Sequence, residues 1–188
     1  MSTTLGNGDI TFGDGTVISD GYVSGGSVTT PFVGARFSSI PTWANRITIL
    51  FENVLLSGTD DVLIQVGYGT SVPYTTVTSG YVSTGSSMNY SGGTTSTAGR
   101  SSTTGLILFR NTSAYTLSGS ATLIRDGTTY SYSGPNSWTY SAVIRHGTTN
   151  VGIQGGHITG LLYPVSLIDI NPSGTNTFTQ GSIHLLYD

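Results

Sequence analysis

The chain has 188 residues, of which 36% are hydrophobic and only 8% charged, with a net charge of −3 at pH 7. One domain of this length buries roughly 70% of its unfolded surface. All six cations are Arg and none cluster, which argues against a phosphate-backbone footprint and excludes nucleic acid from the expected partners.

Disordered chains combine low hydrophobicity with high net charge. Here Gly, Ser and Thr fill the deficit instead, with 84 of the 188 residues. Thr favours strands and Gly supplies turns, so the composition predicts many short strands with polar, uncharged outer faces and little or no helix. Exposed edge strands are commonly defended by Lys. A Lys-free chain is expected to shelter its edges another way, and oligomerisation is one. The absence of Cys removes disulfide and thiolate chemistry and suits assembly in a reducing cytoplasm. The opening MSTTLGNGDI has neither the basic nor the apolar region of a signal peptide, and no apolar run reaches bilayer-spanning length. Membrane insertion is therefore not expected.

Residues 1–9 read as a leader. Ile10-Thr11-Phe12 and Thr16-Val17-Ile18 flank Gly13-Asp14-Gly15, a hairpin signal because Asp and Gly tolerate positive φ. Tyr22 to Thr30 reads as a Gly/Ser-rich connection, and Phe32 to Phe37 as a short extended piece. Arg46 to Glu52 is a strong strand with Ile47, Ile49 and Phe51 on one face. Val62 to Tyr68 repeats the pattern after a turn at residues 58–61, and the two are expected to be antiparallel neighbours. Val77 to Thr84 is a further strand candidate. Gly85 to Gly105 carries only Met88, Tyr90 and Arg100 as large side chains and reads as a long loop, a class of segment that is often functional.

Strands resume at Leu106 to Phe109 and Tyr115 to Arg125. Asp126-Gly127 then turns into Thr128 to Ser133. Trp138 to His146 alternates Trp138, Tyr140, Ala142 and Ile144. A strand beginning at Val151 and Ile153 is expected to end at Gly155-Gly156, followed by Ile158 to Leu162 and Val165 to Ile170. The closing stretch has Phe178, Ile183, Leu185 and Tyr187 as its apolar members, alternating with polar or outward positions from Ser182 on as in a half-buried strand, with a bulge or kink possible at Gly181. Ten to twelve short, evenly spaced strands predict an all-β protein, an antiparallel β-sandwich or jelly roll.

Chemistry is harder to find. His146, His157 and His184 fit no ligand spacing, and neither a metal nor any other cofactor is expected. Glu52 is the lone Glu, and Asp14, Asp20, Asp60, Asp61 and Asp126 fall in turns, where Asp caps its own backbone. Paired acids for glycoside hydrolysis are not apparent, nor is a nucleophile elbow, so no catalytic residue is assigned. Eleven Tyr and two Trp offer more. Tyr68, Tyr115, Tyr140, Tyr187 and Trp138 are expected in the core. Tyr90 and Arg100 in the long loop, Tyr130 and Tyr132 in a hairpin strand, and Tyr74 beside Pro73 are candidates for exposure, where a ring can stack while its polar edge hydrogen-bonds. Tyr90, Arg100, Tyr130 and Tyr132 form the candidate ligand-binding set.

ITFGDGT at residues 10–16 resembles a segment that recurs in bacteriophage tail-fibre shafts ahead of the head domain. Together with RITILFENV, LIQVGYG, TTGLILF and the ending TFTQGSIHLLYD, it gives residues 10–188 a resemblance to tail-fibre C-terminal domains, including those of cyanophages. That resemblance implies a shaft-like segment over residues 1–30 and a β-sandwich head over 31–188. It implies a homotrimer, located in the virion after cytoplasmic assembly and joined to other fibre or tail proteins. The partner implied is a host surface glycan or surface protein. The alternatives are a structural or decorative capsid-fibre protein and a polysaccharide-trimming enzyme.

Overall fold

Side chains alternate across a pleated strand, and this alternation sorts the chain into layers. The computed structural model describes residues 4–5, 9–11, 17–19, 23–29, 32–69, 75–91, 94–110, 115–126 and 136–188, with side chains from residue 32 onward except 90–91 and 94–97. The strands are β1 (Thr4–Leu5), β2 (Asp9–Thr11), β3 (Val17–Ser19), β4 (Val23–Thr29), β5 (Ala35–Ser38) and β6 (Arg46–Leu56). They continue with β7 (Val62–Tyr68), β8 (Thr75–Thr76), β9 (Tyr81–Ser91), β10 (Thr94–Ser102) and β11 (Leu106–Leu108). The last five are β12 (Leu117–Asp126), β13 (Asn136–His146), β14 (Asn150–Leu161), β15 (Leu167–Pro172) and β16 (Phe178–Tyr187). No helix occurs among the described residues.

Strands β1, β2 and β3 form a small meander in which Ile10 pairs with Ile18, so the first hairpin forms as expected; its Gly13-Asp14-Gly15 turn lies outside the described residues. The body is a β-sandwich. Its large sheet runs β10-β9-β14-β13-β12-β6-β16-β4, its small sheet β11-β7-β15-β5 with β8 beside β7, and every pairing is antiparallel. Between them lies one apolar cluster. Ile47, Ile49 and Phe51 of β6, Ile183 and Leu185 of β16, and Trp138, Tyr140 and Ile144 of β13 meet Val62, Ile64, Val66, Ile168 and Ile170 of the small sheet. Phe178 is fully buried, its ring 4.6 Å from that of Phe32 and its backbone bridged to it in both directions.

The closing strand sits where its pattern requires. β16 lies between β6 and β4, and its register slips around Gly181, whose φ of 94° admits the bulge. Past it, Asp188 exchanges backbone hydrogen bonds with Arg46 at 2.9 and 3.0 Å, and its carboxylate takes the Arg46 guanidinium. This segment is fixed at both ends.

Four expectations are corrected. Val23–Thr29 is not a connection but a strand, the outermost of the large sheet beside β16. β6 and β7 are not neighbours: the 57–61 link crosses from the large sheet to the small one, so two apolar faces made from adjacent sequence meet across the core. The long loop at 85–105 is instead a hairpin, β9 paired with β10 from Ser83↔Ser102 to Ser91↔Thr94. Its alternation is real but written in small residues, with Tyr81, Ser83, Gly85 and Ser87 inward and Val82, Thr84, Ser86 and Met88 outward. Finally, β14 does not stop at Gly155-Gly156 but runs on to Leu161. A Cβ at Gly156 would stand 2.7 Å from the Ser83 Cα, so glycine there lets β9 and β14 approach rather than ending a strand.

The edge of β11 is managed without Lys. Ser83 Oγ accepts the Ile107 N–H at 2.8 Å, and the Tyr140 phenol donates to the Ile107 carbonyl at 3.1 Å. Side chains of the large sheet thus complete the hydrogen bonding of a small-sheet edge strand.

Candidate binding site

Of the four nominated residues, Tyr130 and Tyr132 lie outside the described residues, as does Tyr74. Tyr90 occupies β9 opposite Thr95, with its side chain outside the described set. Arg100 is described, and it engages the protein itself. Its side chain is 64% exposed, yet its Nε lies 3.6 Å from the Asp61 carboxylate and its guanidinium 5.8 Å from the Phe109 ring centroid.

That contact leads into a polar corner of the sandwich. Asp61, expected as a turn residue, is buried and accepts the Arg110 backbone N–H at 2.8 Å, while the buried Arg110 guanidinium donates to the Gly58 carbonyl at 2.9 Å. Burial raises the Asp61 pKa against the pull of its Arg110 and Arg100 neighbours, and burial lowers that of Arg110. Next to it His146 is buried with Nδ1 3.4 Å from Ser87 Oγ, and burial together with the Arg110 charge pushes its pKa down to about 4. Its Nε2, Asn150 Nδ2 and both amide atoms of Gln154 find no hydrogen-bond partner among the described residues. His184 lies on the outer face as expected, 3.1 Å from Ser182 Oγ and 3.9 Å from Glu52. Among the described residues no group of three His, Asp or Glu is placed to hold a metal ion.

The tyrosines divide differently from expectation. Tyr140 and Trp138 are core residues, but Tyr68, Tyr115 and Tyr187 are only half-buried. Tyr81, not expected in the core, is buried as well, and its phenol accepts the Val66 N–H at 2.8 Å and donates to the Val77 carbonyl at 3.0 Å. Burial raises its pKa far above the phenolic range, so it stays a neutral donor.

Through Tyr81 the core fixes a half-open cleft of about 350 Å³ lined by Tyr68, Val77, Ser79, Gly80 and residues 159–162. One wall is the 77–80 turn, held by the Tyr81 phenol and by the Val77 N–H bonded to the Val66 carbonyl at 2.9 Å. The other is the end of β14, where Thr159 N–H reaches the Gly80 carbonyl at 3.3 Å and Gly160 turns the chain at φ 74° with open space where a Cβ would be. Tyr163, half exposed, lies against Tyr68 with ring centroids 5.0 Å apart and planes at 52°.

Comparison with known proteins finds no family model, no curated protein and no solved structure that matches this chain.

The cleft was not visible in the sequence, because its two walls, at 77–80 and 159–162, lie far apart along the chain. The available signal was the Leu161-Leu162-Tyr163 run, which alternation alone cannot divide between inside and outside; Leu161 is buried and Leu162 is 69% exposed. A second surface also emerges on the outer face of the large sheet. There Met88 of β9 stands opposite Val151 of β14, and Ile153 of β14 opposite Val143 of β13, all four exposed.

Proposed function

We propose that this chain is a non-enzymatic attachment module, the head domain of a virion fibre that assembles as a homotrimer and binds a glycan on a bacterial surface. The motifs that resemble tail-fibre C-terminal domains imply a β-sandwich, and the protein is one. The observation that carries the reading is the apolar patch of Met88, Val143, Val151 and Ile153 on an otherwise Ser- and Thr-rich sheet face. Contiguous exposed apolar side chains rimmed by polar ones mark association surfaces. A fibre head has such a surface where sister subunits meet, and three copies multiply weak glycan contacts by avidity.

Light scattering tests the assembly: the reading expects three times the 19.5 kDa chain mass. Saturable adsorption to host cells tests attachment. A monomer that does not adsorb defeats the proposal, and release of reducing ends from host polysaccharide would replace it with an enzyme.

A further inference from the structure

The cleft beside Tyr68 has the build of a ligand site rather than of a packing gap. Its walls are fixed by hydrogen bonds to the core, through Tyr81 on one side and through Ser166 on the other. Ser166 Oγ donates to the Gly69 carbonyl at 2.9 Å and its N–H to the Gly67 carbonyl at 3.0 Å, which holds the end of β7 that carries Tyr68. A site held open in the free protein avoids the ordering cost of forming on binding. Its volume of about 350 Å³ falls at the small end of the range of small-molecule sites.

The lining specifies the ligand class. No charged side chain is among the described lining residues, so these offer nothing to hold a phosphate, sulfate or carboxylate. It offers an aromatic ring at Tyr68, hydroxyls at Ser79 and Thr159, apolar surface at Val77 and Leu162, and the backbone of two glycines at Gly80 and Gly160. A pyranose matches this mixture, because one face of the ring presents C–H groups to an aromatic while its edge presents hydroxyls to short donors and acceptors. The half-exposed Tyr163 adds a second aromatic ring beside Tyr68, next to the lining residues, which an oligosaccharide longer than one ring could contact.

We propose that this cleft is the binding site for an uncharged sugar ring, with Tyr68 as the stacking platform and the Gly80 and Gly160 turns as the polar edge. The proposal deepens the reading of the chain as a glycan-binding module and rests on it for the biological ligand.

The test uses the full chain with neutral methyl pyranosides and neutral oligosaccharides, followed by NMR or calorimetric titration. Saturable binding is expected, unaffected by ionic strength because no ion pair contributes. Acidic sugars of the same size are expected to bind no better than neutral ones. Tyr163→Ala should weaken oligosaccharide binding by roughly tenfold, the equivalent of one lost aromatic contact. Ser79→Tyr fills the cleft from an exposed turn position and should abolish binding while leaving the melting temperature unchanged. Sugar binding that survives Ser79→Tyr would overturn the cleft and leave the attachment reading standing. Sugar binding lost in Ser79→Tyr, in a protein that does not adsorb to cells, would do the reverse. An absence of binding by every neutral sugar overturns the site.

Discussion

Asp61 Oδ1 accepts the Arg110 backbone N–H at 2.8 Å while the Arg110 side chain reaches back to the Gly58 carbonyl, so the link that crosses between the sheets is locked to the segment just after β11. Both side chains are buried, and the raised Asp61 pKa shows that burial outweighs the attraction of the two Arg neighbours. Removing the Asp61 carboxylate leaves the buried Arg110 N–H without its acceptor and takes a countercharge away from the buried guanidinium, at a cost of roughly 1–3 kcal/mol. Asp61→Ala is therefore expected to destabilise strongly in urea denaturation. Asp61→Asn, which retains an acceptor for the Arg110 N–H, should lose less. Equal losses for the two variants would count against the lock.

Acid acts on the same corner through His146. Its folded pKa of about 4 lies below the unfolded value near 6.5. The neutral ring is thus the form the fold prefers, and the associated stability is complete above about pH 6.5 and drains away as pH falls toward 4. The full effect is on the order of 3 kcal/mol. The groups facing His146 are Ser87, Asn150, Gln154 and Arg110, and none of these loses charge in that window. Asp61 has the opposite sign: its raised pKa means that protonation at low pH relieves a burial cost, partly offsetting the His146 loss. Melting temperature should decline between pH 6.5 and 4, and His146→Leu should flatten that slope. A wild-type profile with no decline in the window would remove His146 as its source.

Much of the fold could be read directly from period-two patterns. β6, β7, β13 and β16 carry large β-branched and aromatic residues on alternate positions, and the burial of Ile47, Ile49, Trp138, Ile144, Ile183 and Leu185 follows the pattern residue by residue. The pattern failed where the inward side chains are small. In β9 the buried positions after Tyr81 are Ser83, Gly85 and Ser87, and space there is short; a Cβ on Gly85 would lie 2.9 Å from the Phe109 Cβ. Hydropathy cannot register such a face, so a hairpin looked like a loop. Strand pairing was equally hidden. The 57–61 link crosses the core with Asp61 buried, and in sequence that residue looks like any turn aspartate. The cleft was illegible for the same reason, since it joins the ends of β7 and β14 through a phenol that the sequence did not single out.

Glycine spacing supplies a sharper contrast. Gly155 and Gly156 are adjacent in β14, yet a Cβ on Gly155 would have its nearest neighbour at 3.8 Å, an ordinary contact, whereas one on Gly156 would collide with Ser83. Gly155→Ala is expected to be neutral or to stabilise by about 0.5 kcal/mol through the unfolded chain. Gly156→Ala should cost roughly 1–3 kcal/mol by overpacking and should loosen the β9 amides in hydrogen exchange. Similar thermal melts for the two variants would mean that β9 and β14 are not packed as closely as described.

The outer apolar patch separates assembly from folding. Ile144 and Ile153 lie on neighbouring strands with the same side chain, but Ile144 is fully buried inside the sandwich and Ile153 is 49% exposed on its outer face. Ile144→Asp places a carboxylate in the core and should unfold the chain. Ile153→Asp meets water in a single chain and should leave the β-sheet circular dichroism intact. In an assembly that covers the patch, the same charge would be desolvated against Met88, Val143 and Val151 of the face and its partner surface, and association should fall at least tenfold, equivalent to about 1.4 kcal/mol. Sedimentation of Ile153→Asp beside the parent protein reads this directly. A lighter species that is still folded supports a subunit contact on this face, and an unchanged mass would move the contact elsewhere on the sandwich.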